Sequence, residues 1–253
     1  MTVELPPRDP ARLPDFIAQL DPNGAGQLCI FDADGTLWVD DVADDFCAWM
    51  IERGHISGDR WAEYLQIYRA DHAAGCRYML SFYEGLTREA LAEHVNHWWG
   101  PTALNSDLVR EVPARRNWVI EALEAVHWLA DHGYTLWIVT GSPTDTMLPL
   151  LDALPFSRVL GMDLALNKEG VITGELGGIS CADEGKVLAV RAAWGDGPIA
   201  LGAGNGSLDA AMIALAQSNW AVYPNAVFEA EARARRWHIL PRPADFVEEA
   251  KLA

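Results

Sequence analysis

With 253 residues, half of them hydrophobic and 22% charged, the chain is long enough to bury a large core and falls outside the disordered, collagen-like and low-complexity classes. Asp and Glu number 36 against 19 Lys and Arg, a formal charge of -17 that repels phosphate backbones and anionic lipids, so neither nucleic acid nor a membrane is an expected partner. No apolar run approaches the roughly 20 residues of a bilayer span, and MTVELPPRDPARLPDF lacks a basic segment followed by an apolar one, so a cytoplasmic location is expected.

The first strand signal is QLCIFDAD, residues 27–34, where a short apolar run follows the turn-forming PNGAG and ends in two carboxylates. That is the shape of a buried parallel strand. About a hundred residues separate it from the next strand signal, several times a normal βα connection. Their apolar residues recur at helical spacing: Phe46, Trp49 and Met50, then Trp61, Tyr64, Leu65 and Tyr68, then Leu91, Val95 and Trp98. An inserted helical cap over 40–112 is therefore predicted, with Pro113 marking the return to a core made of 1–39 and 113–253. Val119, Leu123, Val126 and Ala130 predict a helix that ends before Gly133, and TLWIVTGS at 135–142 is the second strand. KEGVITGEL, 168–176, alternates like a short hairpin. PIALGAGN at 198–205 and the weaker NWAVYPN at 219–225 are further strands, with a helix over 210–216 between them. Strands alternating with helices predict an α/β fold, a Rossmann-like parallel sheet covered on both faces, with the ligand crevice beyond the carboxyl ends of the strands. Asp32, Asp34, Thr140, Asn205 and Asp209 all fall there. Cys29, Cys47, Cys76 and Cys181 have no CxxC spacing and read as reduced thiols, so neither a zinc site nor a disulfide framework is expected.

Two carboxylates two residues apart on one strand point the same way, and Gly35 after them lets the chain turn so that backbone N–H groups face an anion. One carboxylate can attack while the other handles a proton. Asp-x-Asp alone also describes two solvated acids or a helix cap.

The longer pattern is more specific. Asp32-Ala33-Asp34-Gly35-Thr36-Leu37 after an apolar strand resembles the first motif of the haloacid dehalogenase-like superfamily, most of whose members are aspartate-nucleophile phosphohydrolases. Thr140 with Gly141 and Ser142 resembles the second motif, which implies a hydroxyl and a backbone N–H on the phosphoryl oxygens. Lys186 in CADEGKVLAV resembles the third, a lysine that neutralises nucleophile and phosphate, with Lys168 as an alternative. Gly204-Asn205-Gly206-Ser207-Leu208-Asp209 resembles the fourth, a metal-binding motif.

The resemblance implies Asp32 as nucleophile, Asp34 as acid and base, and Mg²⁺ held by an Asp32 oxygen, the Asp34 carbonyl and an oxygen of Asn205 or Asp209, around a small phosphorylated metabolite. Dehalogenases of the superfamily lack the second acid, so Asp34 argues against that activity. The first position of the fourth motif is commonly Asp, whereas this chain has Asn205. Its amide oxygen can still ligate Mg²⁺, although without charge. A phosphate-binding protein silenced at Asn205 is the rival reading. Ser142 has a second reading as the cap of a helix beginning near Pro143.

A helical cap between the first and second motifs is similar to the phosphoserine-phosphatase-like branch. That similarity implies an acid near Asp41 to meet a substrate amine, and Arg77 is the arginine best placed to meet a carboxylate. The run Asp40, Asp41, Asp44 and Asp45 also suits a helix start through its dipole. Trp49, Trp61, Trp98 and Trp99 would pack the cap or cage a quaternary ammonium such as phosphocholine. His94 and His97 are spaced like metal ligands but have no third partner nearby in sequence.

Overall fold

Leu28–Phe31 (β1) is buried at all four positions, as a strand covered on both faces must be. In the computed structural model, which describes residues 3–100 and 118–243, β1 belongs to a six-stranded sheet. Its other members are Thr135–Pro143 (β2), Arg158–Met162 (β3), Ile199–Gly204 (β6), Ser218–Val222 (β7) and His238–Leu240 (β8). They lie in the order β3-β2-β1-β6-β7-β8, and every pairing is parallel. Leu164–Leu166 (β4) and Ile172–Leu176 (β5) form a separate antiparallel pair; the hairpin predicted over 168–176 contains its turn and second strand, while its first strand lies just before that range.

Asp15–Ala18 (α1) precedes the sheet. The insertion after β1 is helical, as predicted: Val42–Glu52 (α2), Gly58–Ala70 (α3), His72–Met79 (α4) and Arg88–Trp99 (α5). Ile120–Asp131 (α6), ending ahead of Gly133, leads into β2, and Thr144–Met147 (α7) and Pro149–Ala153 (α8) follow it. Glu184–Trp194 (α9), Ala210–Ile213 (α10) and Ala226–Arg235 (α11) connect the remaining strands. The expected cap boundary at Pro113 lies outside the described residues.

The core holds Phe31, Phe46, Trp49, Trp99 and Trp220 among its largest side chains, each worth about 1.5–3 kcal/mol or more on burial. Phe46 stacks on Trp49 at 5.9 Å and meets Trp98 edge-on at 5.8 Å, so these aromatic rings of α2 and α5 pack on one another. Before β1, Arg8 and Arg12 reach Glu124 and Glu121 of α6, and Phe16 stacks on His238 of β8 at 3.9 Å. The N-terminal segment thereby ties α6 to the sheet edge. All four cysteines are buried and unbridged. Among the described residues, no helix is long and apolar enough to cross a membrane.

Candidate active site

β1 pairs with β2 on one side and β6 on the other, so the carboxyl ends of three neighbouring strands converge. Asp32 continues β1, its N–H donating to Ala203 of β6 at 2.9 Å. The chain then turns sharply, with Thr36 and Leu37 both donating to the Ala33 carbonyl. Gly35 sits at φ +75°, where an L side chain is strained. A methyl group there would also lie 1.8 Å from the side-chain nitrogen of Asn205, so the Asn205 amide lies directly against the Gly35 backbone.

Lys186, in the first turn of α9, donates from Nζ to Asp32 Oδ1 at 2.6 Å and to Asp209 Oδ1 at 2.7 Å. The other Asp32 oxygen accepts from the Thr36 hydroxyl at 3.1 Å. Asp209 Oδ2 accepts from the backbone N–H groups of Asn205 and Gly206, both at 3.1 Å, which folds the loop after β6 into place. Gly204 permits that fold, since a methyl group there would meet Asp209 Cβ at 2.6 Å. Asp32, Lys186 and Asp209 are 5, 4 and 3% exposed, so their charges are balanced mainly by one another. Burial first, then the neighbouring Asp209 carboxylate, pushes the Asp32 carboxyl up to about 7 against the pull of Lys186. Burial alone would lower the Lys186 ammonium, but Asp209 and Asp32 outweigh it and raise it.

Asp34 has different company. Its Oδ1 accepts from the Trp38 indole N–H at 3.0 Å and from the Val42 backbone N–H at 2.7 Å. Its Oδ2 accepts from the hydroxyls of Ser142 at 2.7 Å and, at the long end, Thr140 at 3.4 Å. Desolvation, reinforced by the charge of Asp41 and opposed by the Ser142 hydrogen bond, raises this carboxyl well above its usual range. Ser142 is not a helix cap: it lies within β2, and α7 begins two residues later without a side-chain cap. Its bond to Asp34, and that of Trp38, were not foreseen from sequence. The signal for Trp38 is its i+4 spacing from Asp34 across a tight turn.

The remaining residues fall into two groups. Asp41 caps α2 by accepting from Asp44 N–H at 3.0 Å, immediately before the Val42 N–H that binds Asp34. A methyl group at Gly141 would touch Cys76 Sγ at 3.4 Å, so α4 lies over this part of β2. Arg77 follows Cys76 but is exposed, and no described contact joins it to the carboxylates. Lys168 is exposed beside the β4–β5 turn. His94 and His97 pack near Trp49, and no described contact joins them to the carboxylates.

The Asp32 carboxylate and the Asn205 amide, whose side chain makes no hydrogen bond among the described residues, are side-chain oxygens at the strand ends that could hold a hard cation. Among the described residues, no three or more His, Cys, Asp or Glu side chains gather to hold a metal ion. An amide oxygen such as that of Asn205 is not among those side-chain types.

The family model for haloacid dehalogenase-like hydrolases matches residues 29–214, from β1 to just past α10. The chain belongs to this family. No curated protein matches its sequence. Among solved structures, the fold is similar to that of a protein of unknown function from Bordetella pertussis Tohama I, 19% identical with a TM-score of 0.71, covering 85% of this chain and 98% of that one. A HAD family hydrolase from Salmonella enterica serovar Typhi is 15% identical with a TM-score of 0.59, covering 87% and 68%. A substrate-bound phosphoserine phosphatase is 16% identical with a TM-score of 0.55, covering 85% and 93%. At these identities the likeness is one of fold.

Proposed function

We propose that this hydrolase is an Mg²⁺-dependent phosphatase that cleaves a small phosphomonoester through an aspartyl phosphate on Asp32, with 40–112 acting as a cap over the strand ends. The observation that carries the reading is the contrast between the two carboxylates of one motif. Burial raises both carboxyls, but Asp32 is bonded to a lysine that opposes the rise, whereas among the described residues Asp34 is bonded to hydroxyl and N–H groups with no cation against its own rise. Carboxylates in such unlike settings suit a nucleophile beside a general acid.

In the first half-reaction, an Asp32 oxygen bonds to phosphorus as the ester P–O bond breaks, and the Asp34 proton passes to the leaving alkoxide. In the second, Asp34, now a carboxylate, takes a proton from water as that water attacks phosphorus and the Asp32–phosphorus bond breaks, which returns both residues to their starting state. Thr140 and the Gly141 N–H hold phosphoryl oxygens, Gly35 permits the sharp turn that lets backbone N–H groups face them, and Lys186 neutralises charge on Asp32 and phosphate. Mg²⁺, bound by Asp32, the Asp34 carbonyl and Asn205, supplies further charge neutralisation. Asp209 is the lesser candidate for a direct ligand, since Lys186 and two backbone N–H groups already engage its oxygens.

A phosphoserine- or phosphocholine-like substrate is proposed, with Asp41 meeting the cationic group and Arg77 a carboxylate if one is present. The position of Asp41 beside the Asp34 partner Val42, and of α4 over Gly141, supports this. Burial of Trp49, Trp98 and Trp99 favours packing over an aromatic cage. A panel of phosphomonoesters that includes both esters, assayed with Mg²⁺ and with chelator, tests the proposal. Metal-dependent phosphate release is expected; tight binding of phosphorylated compounds with no release would establish the silenced binding protein instead.

A further inference from the structure

Trp38 is part of FDADGTLW yet has no part in the chemistry above. It is fully buried, with its indole N–H 3.0 Å from Asp34 Oδ1. The Val42 N–H donates to the same oxygen at 2.7 Å. Neither donor has a lone pair to offer, so a proton on Oδ1 would be directed into two other N–H groups. Oδ2 faces the hydroxyls of Ser142 and Thr140, which can donate or accept. The two oxygens of one carboxyl group are therefore unlike before any ligand arrives.

We propose that Trp38 is a positioning residue: its indole N–H reserves Asp34 Oδ1 as an acceptor, so that Oδ2 is the oxygen that delivers the proton to the leaving alkoxide. The inference rests on the acid role proposed for Asp34. The Oδ2–H bond breaks as the proton joins the bridging ester oxygen, whose bond to phosphorus breaks while the Asp32–phosphorus bond forms. Asp34 is left as a carboxylate, and the Trp38 and Val42 N–H groups then hold an anion, where hydrogen bonds are stronger.

The surroundings of Trp38 fix the direction of its N–H. Its ring lies edge-on to Trp99 at 6.1 Å and to Trp118 at 5.5 Å. Trp99 is itself anchored by donating to the Thr146 carbonyl at 2.9 Å, and the Val119 N–H ties the following segment to the Leu37 carbonyl at 2.9 Å. An indole gripped from two sides holds its donor where a mobile side chain would not. Three of the eleven tryptophans thus form a wall behind the second carboxylate.

The test compares leaving groups. Trp38→Phe keeps a ring and removes the N–H, and single-turnover formation of the acyl phosphate is measured with an alkyl phosphate and with 4-nitrophenyl phosphate, whose anion departs without a proton. With the alkyl ester the rate should fall roughly tenfold, the weight of one hydrogen bond to a charged group, while KM stays unchanged. With the nitrophenyl ester it should hold. An equal fall on both esters, or none on either, overturns the inference. Should Trp38→Phe not fold, benzothienylalanine at position 38 keeps the bicyclic shape with sulfur in place of N–H and is judged by the same outcomes. Asp34→Asn tests the underlying reading separately: an equal loss on both esters removes the acid role itself, whereas loss confined to the alkyl ester, with the position-38 variants indifferent, defeats only the role given to Trp38.

Discussion

Lys186 and Asp32 stand 154 positions apart in the chain, and their side chains meet at 2.6 Å in a buried site. The contact links the first turn of α9 to the end of β1, and the same ammonium reaches Asp209 beyond β6. One cation serves two carboxylates.

Lys186→Met should therefore be costly to the fold as well as to hydrolysis. It leaves two buried carboxylates facing each other without their cation, a change that typically costs about 3–5 kcal/mol. Urea denaturation of the purified variant at neutral pH reads this directly. Stability equal to that of the wild type would contradict the pairing.

Asn205 is expected to be a working Mg²⁺ ligand although it carries no charge. Asn205→Ala should raise the Mg²⁺ concentration needed for half-maximal hydrolysis by at least the roughly tenfold that even an outer-shell loss costs a metal site. Asn205→Asp should keep activity and tighten the metal, because it restores a charged oxygen at nearly unchanged volume. Titrating Mg²⁺ against the rate in all three proteins decides this, and identical curves would place Asn205 outside the coordination sphere.

Much of this site was legible because strand ends announce themselves. The apolar runs of β1, β2 and β6 each break into the residues that converge, and Asp32, Thr140 and Asn205 could be read at those breaks. Two strands of the sheet were not read. β3, RVLGM, lies close after the turn-like LPFS, and β8 has three residues at the sheet edge, where a short segment needs no long apolar run. The Ser142 bond to Asp34 escaped for another reason: 108 positions separate the two, and a serine before Pro143 has an equally good local explanation as a cap. The Trp38 bond escaped because the direction of an N–H is not written in composition.

Glu124 provides a pH test of the N-terminal strap. Burial opposes its charge, but the Arg8 guanidinium at 2.9–3.0 Å and the Asp9 N–H at 2.7 Å hold its carboxyl below the ordinary value. A carboxyl depressed in the folded state adds stability that is fully present above its unfolded pKa and is lost as pH falls through the folded value. Glu124→Gln should accordingly lower the melting temperature at neutral pH, and the gap from wild type should close in acid. A gap that is the same at both pH values would show that the ion pair contributes nothing.

On the proposed mechanism, Asp32 carries the phosphoryl group. Protein quenched in acid during turnover of a phosphomonoester with Mg²⁺, then digested and weighed by mass spectrometry, should show a phosphate adduct on the peptide that contains Asp32. Asp32→Asn, nearly identical in shape but a very poor nucleophile, should fold, form no adduct and release no phosphate. Substantial phosphate release by correctly folded Asp32→Asn would rule out an aspartyl phosphate on Asp32.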